Sequence, residues 1–108
     1  MIGRDIRPSS TRIRDKLIDT VSKTGVYVRD IGVVTTPLLY FSIRHFKTDG
    51  GIMITGSHNP AEFNGLKVCI GFDTIAEEEI QTLKKLAESG DFVLELGQVD
   101  HADAIGAY

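Results

Sequence analysis

A short, uninterrupted apolar segment in the middle of this chain runs directly into a polar turn. The segment is Gly51-Ile52-Met53-Ile54-Thr55, and the chain continues as Gly56-Ser57-His58-Asn59-Pro60. Continuous apolar runs of this length are typical of strands buried on both faces of a parallel sheet. Sheets of this kind bind their ligands at the carboxyl ends of the strands. The sequence therefore predicts an α/β fold with its chemistry in the turn that follows this strand.

The turn has a structural and a chemical interpretation. In the structural one, Ser57 caps a strand-to-helix turn and Asn59 hydrogen-bonds the local backbone. In the chemical one, the Ser57 hydroxyl is a nucleophile. His58 is a poor general base for it, because adjacent side chains on an extended backbone point apart and the base must reach the hydroxyl proton.

Strand and helix patterns alternate along the rest of the chain, which indicates an α/β sandwich. We expect strands around Ile2, at 26–31, at the serine segment, at 66–70 and at 92–96, the 66–70 strand forming an antiparallel hairpin with the serine strand. Three helices are expected: one capped by Ser9 or Ser10 and ended by Gly25, one opened by Thr36-Pro37, and one running from about Thr74 to Gly90. The first helix is expected to carry Ile13, Leu17, Ile18 and Val21 on one face. The second is expected to carry Leu39, Ile43 and Phe46, and the third to bury Ile80, Leu83 and Leu86 or Ala87. Residues 1–97 are predicted to form the domain and residues 98–108 a linker.

Composition narrows the setting of this domain. The chain has 108 residues, 42% of them hydrophobic, which fits one globular domain. Its formal net charge of -3 argues against nucleic-acid binding. Cys69 is the one cysteine, so we expect a reduced, cytoplasmic location. No apolar stretch approaches twenty residues, and we therefore expect no contact with a membrane.

The serine turn also carries a resemblance to a known family. Thr55-Gly56-Ser57-His58-Asn59-Pro60, followed by Asn64-Gly65-Leu66-Lys67, resembles the active-serine signature of the α-D-phosphohexomutases, which include phosphoglucomutase and phosphomannomutase. Three further stretches match in order: Gly3-Arg4-Asp5-Ile6-Arg7 before Ser9-Ser10, residues 30–38, and the approach to Tyr108. The resemblance implies a three-layer α/β/α domain I with a mixed sheet of about four strands, here lacking the family's first strand and helix.

The resemblance further implies reversible phosphoryl transfer between the 1- and 6-positions of a hexose phosphate. Ser57 would carry the phosphate, and a hexose 1,6-bisphosphate would be the intermediate and activator. Mg²⁺ would bind through phospho-Ser57 and through aspartates that are absent from this chain. The implied partners are the hexose phosphate and the remaining domains of a parent enzyme, without which we expect no turnover.

Lys67 and His58 are the other candidate catalytic residues. Lys67 belongs to an alternating strand that returns beside the serine strand, and the resemblance implies proton transfer or phosphate contact there. The alternative is a solvated lysine that protects an edge strand. For His58 the resemblance implies phosphate contact, and the alternative is a histidine that only bonds the backbone.

Several residues have weaker claims to the site. Thr55, Asn59 and Arg4 are candidate phosphate ligands. A structural role is nevertheless favoured for Arg4 and Arg7, which can pair with carboxylates, and for Asn59, which can shape the turn. Two other functions stay open: a serine hydrolase or phosphatase that uses Ser57, and a noncatalytic domain that binds a phosphosugar or a protein partner. The choice between glucose and mannose phosphates also stays open.

Overall fold

The computed structural model describes residues 1–90 and 94–108, along which strands and helices alternate as expected. The strands are β1 (Ile2–Arg4), β2 (Val28–Val33), β3 (Gly50–Ile54), β4 (Leu66–Ile70), β5 (Asp73–Thr74) and β6 (Val99–His101). The helices are α1 (Pro8–Ser22), α2 (Thr36–His45), α3 (Glu77–Ser89) and α4 (Ala104–Ala107). The predicted α/β class is confirmed.

Within these residues the strands form one mixed sheet in the order β5-β4-β3-β1-β2-β6. β1 is parallel to β2 and β3, and β2 is parallel to β6. β4 is antiparallel to β3, which confirms the predicted hairpin, and β5 is antiparallel to β4. Our count of about four strands was too low, because β5 and β6 are too short to produce a recognisable alternation.

The core has two halves, one on each face of the sheet, so the three-layer α/β/α arrangement is confirmed. On one face α1 covers the strands with the apolar residues that its periodicity predicted, Ile13, Leu17, Ile18 and Val21. On the other face α2 contributes Leu39 and Ile43, which are fully buried. Met53 and Ile54 of β3 face opposite halves of the core, because successive side chains of a strand alternate between faces.

The starts of the helices differ from the predicted ones. α1 begins at Pro8, with Arg7 before it and no side-chain cap, so the predicted Ser9 or Ser10 cap is wrong. Proline is favoured at a first helical position because its missing N–H has no partner to lose there. α2 is capped one residue earlier than expected, by Thr35, whose Oγ1 accepts the Leu38 N–H at 3.4 Å.

The apolar stripe of α3 is far more exposed than expected. Ile80, Leu83 and Leu86 are 46%, 44% and 48% exposed, and the prediction that they are buried is wrong. The helix lies beside β4 and the edge strand β5, and an open depression of about 310 Å³ lies between it and β4. The side chain of Ala87 is outside the described part. α3 ends as predicted, at Gly90, which has a left-handed backbone.

The carboxyl-terminal segment is folded onto the domain, although we predicted a linker there. β6 extends the sheet beside β2, and Ala104 of α4 is buried in the core. The predicted strand at 92–96 falls partly outside the described residues, and Glu95 forms an isolated bridge with Thr24. In the part of the chain that the structure describes, no helix has the length and apolar character needed to cross a membrane.

Candidate active site

The serine turn is the loop between β3 and β4, at the edge of the sheet where β1, β2 and β3 end. The loop is closed at its base by the Thr55 N–H, which donates to the Gly65 carbonyl at 3.0 Å. Inside it, the Asn59 N–H donates to the Gly56 carbonyl at 3.0 Å and forms a tight turn. The turn therefore lies at the carboxyl end of a buried strand, as the apolar run predicted.

Ser57 occupies a left-handed backbone conformation with a φ of 55°. Residues other than glycine rarely adopt this conformation, which costs about 1–2 kcal/mol. The Ser57 N–H donates to Thr55 Oγ1 at 3.0 Å. The side chain is exposed, and no described residue hydrogen-bonds its hydroxyl. The loop thus presents an unpaired hydroxyl to solvent.

Arg7, in the connection between β1 and α1, reaches across to the serine loop. Its Nη2 donates to the Ser57 carbonyl at 2.8 Å. Its Nη1 donates to the carbonyls of Pro60 at 2.6 Å and Phe63 at 3.3 Å. Its Nε donates to Asp5 Oδ2 at 2.9 Å. Two of the guanidinium nitrogens therefore hold the loop, and the third joins Arg7 to Asp5.

Asp5 joins the loop to the rest of the domain. Its Oδ1 accepts the Ser10 hydroxyl at 2.6 Å and the Arg7 N–H at 3.1 Å. Burial alone would raise the pKa of Asp5, but hydrogen bonds from Ser10, Thr55 and Arg7 outweigh it and lower the pKa to about 2. The carboxylate is thus ionised at neutral pH and can hold all of these donors.

Asn64 fixes the far end of the loop to the start of α1. Its Nδ2 donates to Ser9 Oγ at 3.0 Å and to Ser10 Oγ at 2.9 Å, and its Oδ1 accepts the Gly65 N–H at 2.9 Å. The two serines that we expected to cap α1 therefore bind the loop instead.

His58 and Lys67 have free side-chain nitrogens at different places. His58 is exposed in the loop, next to Ser57. Lys67 is half-buried on β4, directly opposite Met53 of β3. Neither side chain makes a hydrogen bond or an ion pair with the described residues, and no hydrogen bond joins either to Ser57. Both nitrogens are therefore available to a ligand.

Arg4 is engaged away from the loop, on the face covered by α1. Its Nη1 is 3.7 Å from Asp30, whose carboxylate also contacts Arg14 at 2.7 Å and His101 at 3.5 Å. Asp30 is 3% exposed. The contacts of Arg4 are those of a structural ion pair and lend no support to a role in phosphate binding.

Two open cavities border the loop. One, of about 490 Å³, is lined by Asp5, Thr55 and Met53 together with residues of β2 and α2. The other, of about 430 Å³, is also lined by Asp5, together with Arg7 and Asn59. Thr55 and Asn59 thus border space that a ligand can enter, whereas Lys67 lines the depression beside α3.

Comparison with known proteins identifies the family. A profile of the domain described as "Phosphoglucomutase/phosphomannomutase, alpha/beta/alpha domain I" matches residues 1–94. The chain belongs to this family. A phosphomannomutase/phosphoglucomutase of Pseudomonas aeruginosa is 36% identical over 107 residues, which are 99% of this chain and 23% of that protein. A phosphoglucomutase of Neisseria gonorrhoeae is 40% identical over 109 residues, which are 99% of this chain and 24% of that protein.

A solved phosphoglucomutase/phosphomannomutase family protein from Burkholderia thailandensis has the same fold. It superposes with a TM-score of 0.92 at 31% identity, over 99% of this chain and 25% of that one. The chain thus spans about a quarter of the length of these relatives.

Two residues of this phosphoglucomutase/phosphomannomutase domain, Asp5 and Arg7, were missed as parts of the site. We expected Arg7 to have a structural role and gave Asp5 no role in the site. Arg7 binds the Ser57 carbonyl of the loop, and Asp5 bonds both Arg7 and Thr55. Both residues stand in the motif Gly3-Arg4-Asp5-Ile6-Arg7. Their part in the site nevertheless depends on a loop about fifty residues away in the sequence. One local signal existed: a charged pair at the carboxyl end of a buried strand.

Proposed function

We propose that this chain is the phosphoserine-bearing domain of a phosphoglucomutase or phosphomannomutase. Ser57 would receive a phosphoryl group from a hexose 1,6-bisphosphate and return one to a hexose monophosphate, which moves phosphate between the 1- and 6-positions. The observation that carries this proposal is the exposed Ser57 hydroxyl, held in a fixed conformation at the carboxyl edge of the sheet. Membership of the family supports it.

The geometry suits a resting phosphate carrier. Phosphoryl transfer asks the protein mainly to hold donor and acceptor oxygens in line and to neutralise the charge of the moving group. The bonds to the N–H and the carbonyl of Ser57 fix its position. His58 and Lys67, with free nitrogens, are the proposed phosphate contacts, and Lys67 is the proposed proton-transfer residue. Thr55 and Asn59 remain weaker candidates for phosphate binding.

A magnesium site is not complete within these residues. No group of three histidine, cysteine, aspartate or glutamate side chains in residues 1–90 and 94–108 has the arrangement needed to hold a metal ion. Asp5, which bonds Arg7 beside the loop, is occupied by hydrogen-bond donors. The residues present therefore do not fit a magnesium centre by themselves. The proposal is that the ion binds the Ser57 phosphate together with ligands from outside this chain.

Mutase turnover by the isolated chain would need more groups than the serine loop provides. Stabilising the transition state of phosphoryl transfer depends on cations and on groups that clamp the substrate. The Arg7 guanidinium is engaged with carbonyl groups of the loop, which argues against its supplying such a clamp. We propose that the hexose phosphate binds between this domain and further domains, and that the chain alone has negligible mutase activity.

A serine hydrolase or phosphatase is the weaker alternative. Such an enzyme needs a general base within hydrogen-bonding distance of the nucleophile. His45 stacks on Phe41, and His101 lies near Asp30, so both are engaged elsewhere. A noncatalytic binding domain is the other alternative. Phosphorylation of Ser57 distinguishes a mutase domain from it.

The test is the mass of the full-length protein after incubation with glucose or mannose 1,6-bisphosphate. We expect one added phosphoryl group, mapped to Ser57 by peptide sequencing, and none in Ser57→Ala. Ser22→Ala is the matched control, because the Ser22 hydroxyl only bonds the Asp19 carbonyl of α1. A protein that stays unmodified with both bisphosphates would refute the proposal.

A further inference from the structure

We infer that Arg7 is a positioning residue for phosphoryl transfer, which it serves by holding the Ser57 peptide in its left-handed conformation. This inference rests on the proposed role of Ser57 as the phosphate carrier. It assigns to Arg7 a task that differs from binding phosphate, the usual task of an arginine near a phosphorylated residue.

The left-handed conformation of Ser57 needs support from the surrounding structure. A serine with a φ of 55° is disfavoured, so an unsupported loop would relax to other backbone conformations. Two hydrogen bonds oppose this relaxation, one on each side of the residue. Thr55 Oγ1 accepts the Ser57 N–H at 3.0 Å, and Arg7 Nη2 donates to the Ser57 carbonyl at 2.8 Å. Together they restrain both peptide groups that define the position of the hydroxyl.

Each side-chain nitrogen of Arg7 already donates at least one hydrogen bond within the domain. Its side chain is 12% exposed, and Asp5 balances its charge at 2.9 Å. The remaining bonds go to the backbone carbonyls of Ser57, Pro60 and Phe63, which belong to both halves of the loop. The guanidinium therefore works as a structural bridge, whose effect on the reaction passes through Ser57.

The serine loop leaves room for the Arg7 side chain at Gly56. A Cβ atom at Gly56 would lie 2.7 Å from Arg7 Cζ and 2.7 Å from the Phe63 carbonyl oxygen. Glycine at this position thus lets the guanidinium lie against the backbone that precedes Ser57. A lysine at position 7 keeps the charge but lacks the planar set of donors that reaches several carbonyls at once.

The experiment compares Arg7→Ala and Arg7→Lys with Arg14→Ala in the full-length protein. Arg14 is the matched control, because it also pairs with an aspartate, the buried Asp30 at 2.7 Å, and makes no hydrogen bond or ion pair with the described residues of the loop. The readouts are the single-turnover rate of phosphoryl transfer from a hexose 1,6-bisphosphate to Ser57, the kcat and KM for the hexose monophosphate, and the melting temperature.

We expect Arg7→Ala to slow the transfer by about 100-fold, as a misplaced reacting group does, with a much smaller change in KM. Millimolar methylguanidinium should restore part of the rate, which a general loss of stability would not allow. Arg7→Lys should also transfer the phosphoryl group slowly. If Arg7→Ala does not fold, the transfer rate of Arg7→Lys tests the inference. Arg14→Ala should transfer at the wild-type rate.

A wild-type transfer rate in either Arg7 variant would overturn the inference. So would an Arg14→Ala variant as slow as Arg7→Ala at the same loss of melting temperature. These failures differ from a failure of the proposed function, in which the wild-type protein itself takes up no phosphate on Ser57.

Discussion

Ser57 combines an exposed hydroxyl with a backbone conformation that residues with side chains normally avoid. Its φ is 55°, and the peptide groups on both sides of it are restrained, one by donating a hydrogen bond to Thr55 and the other by accepting one from Arg7. Strained residues of this kind persist where the surrounding structure holds them, and they are frequent at functional sites. A hydroxyl at a fixed position suits in-line transfer, in which a displacement of about 1 Å is costly.

The strain at Ser57 has a measurable consequence. Ser57→Gly should be more stable than Ser57→Ala by about 1 kcal/mol, because glycine adopts a positive φ without steric cost. Both variants lack the hydroxyl, so the comparison isolates the backbone term. Urea unfolding of the two purified variants measures it. Equal stability of the two, or a more stable alanine variant, would show that the loop is not held in this conformation.

Asp5 should make stability depend on pH in the acidic range. Its folded-state pKa is lowered to about 2, below that of an unfolded aspartate near 3.8. A depressed pKa contributes stability that is fully present above the unfolded pKa and is lost as the pH falls through the folded one. The stability lost in Asp5→Asn should therefore be greatest above about pH 4 and shrink toward pH 2.

Unfolding of wild type and Asp5→Asn at a series of pH values measures this difference. A loss that stays constant from pH 6 to pH 2 would contradict the assignment of Asp5 as the ionised centre of the network.

For single residues, the sequence was sufficient to predict positions that follow from one strand. Ser57 and His58 were predicted because they directly follow a buried apolar segment. Arg7 was not, because its bond to Ser57 joins residues 50 positions apart, and the local signal of a charged pair at the end of a strand does not identify the partner. For Arg4 the sequence favoured pairing with a carboxylate over phosphate binding, and the fold places it against the buried Asp30.

Among the elements, those with several periodic residues were the predictable ones. α1 and α2 pack the stripes that their spacing predicted against the sheet, and the β3–β4 hairpin follows from an apolar and an alternating segment joined by a turn. Their ends were displaced by a residue or more, since Pro8 and Thr35 compete with neighbouring serines and threonines for the first turn. β5 and β6 have only two and three residues. Their formation therefore depends more on pairing with the rest of the sheet than on the local sequence pattern.

α3 shows that an amphipathic pattern does not guarantee burial, and this gives a prediction for two leucines. Leu39 of α2 is fully buried, whereas Leu83 of α3 is 44% exposed. Leu39→Ala should lower the free energy of unfolding by about 2–5 kcal/mol, through lost burial and a cavity. Leu83→Ala should cost about 1 kcal/mol or less.

Chemical denaturation of the two variants measures these costs, and the identical substitution makes each the control for the other. A Leu83→Ala variant as destabilised as Leu39→Ala would mean that α3 packs far more closely on the sheet.

For the whole molecule, the three layers explain where the site lies. Parallel β1, β2 and β3 end at one edge, and the two connections that follow β1 and β3 meet there, Arg7 from the first and Ser57 from the second. Cavities of about 490 and 430 Å³ stay open beside them. The chain spans 23% of the Pseudomonas aeruginosa relative, and the groups that would close these spaces over a sugar phosphate are proposed to lie outside it.

The fate of the phosphoryl group on Ser57 tests the central claim most directly. The phosphorylated full-length protein is mixed with glucose 1-phosphate or mannose 1-phosphate, and the residue-57 phosphate, the sugar phosphates and inorganic phosphate are followed together. We predict that Ser57 loses its phosphate while an equal amount of hexose 1,6-bisphosphate forms. Release of the phosphoryl group as inorganic phosphate would indicate a phosphatase, and retention on Ser57 with both sugars would contradict transfer altogether.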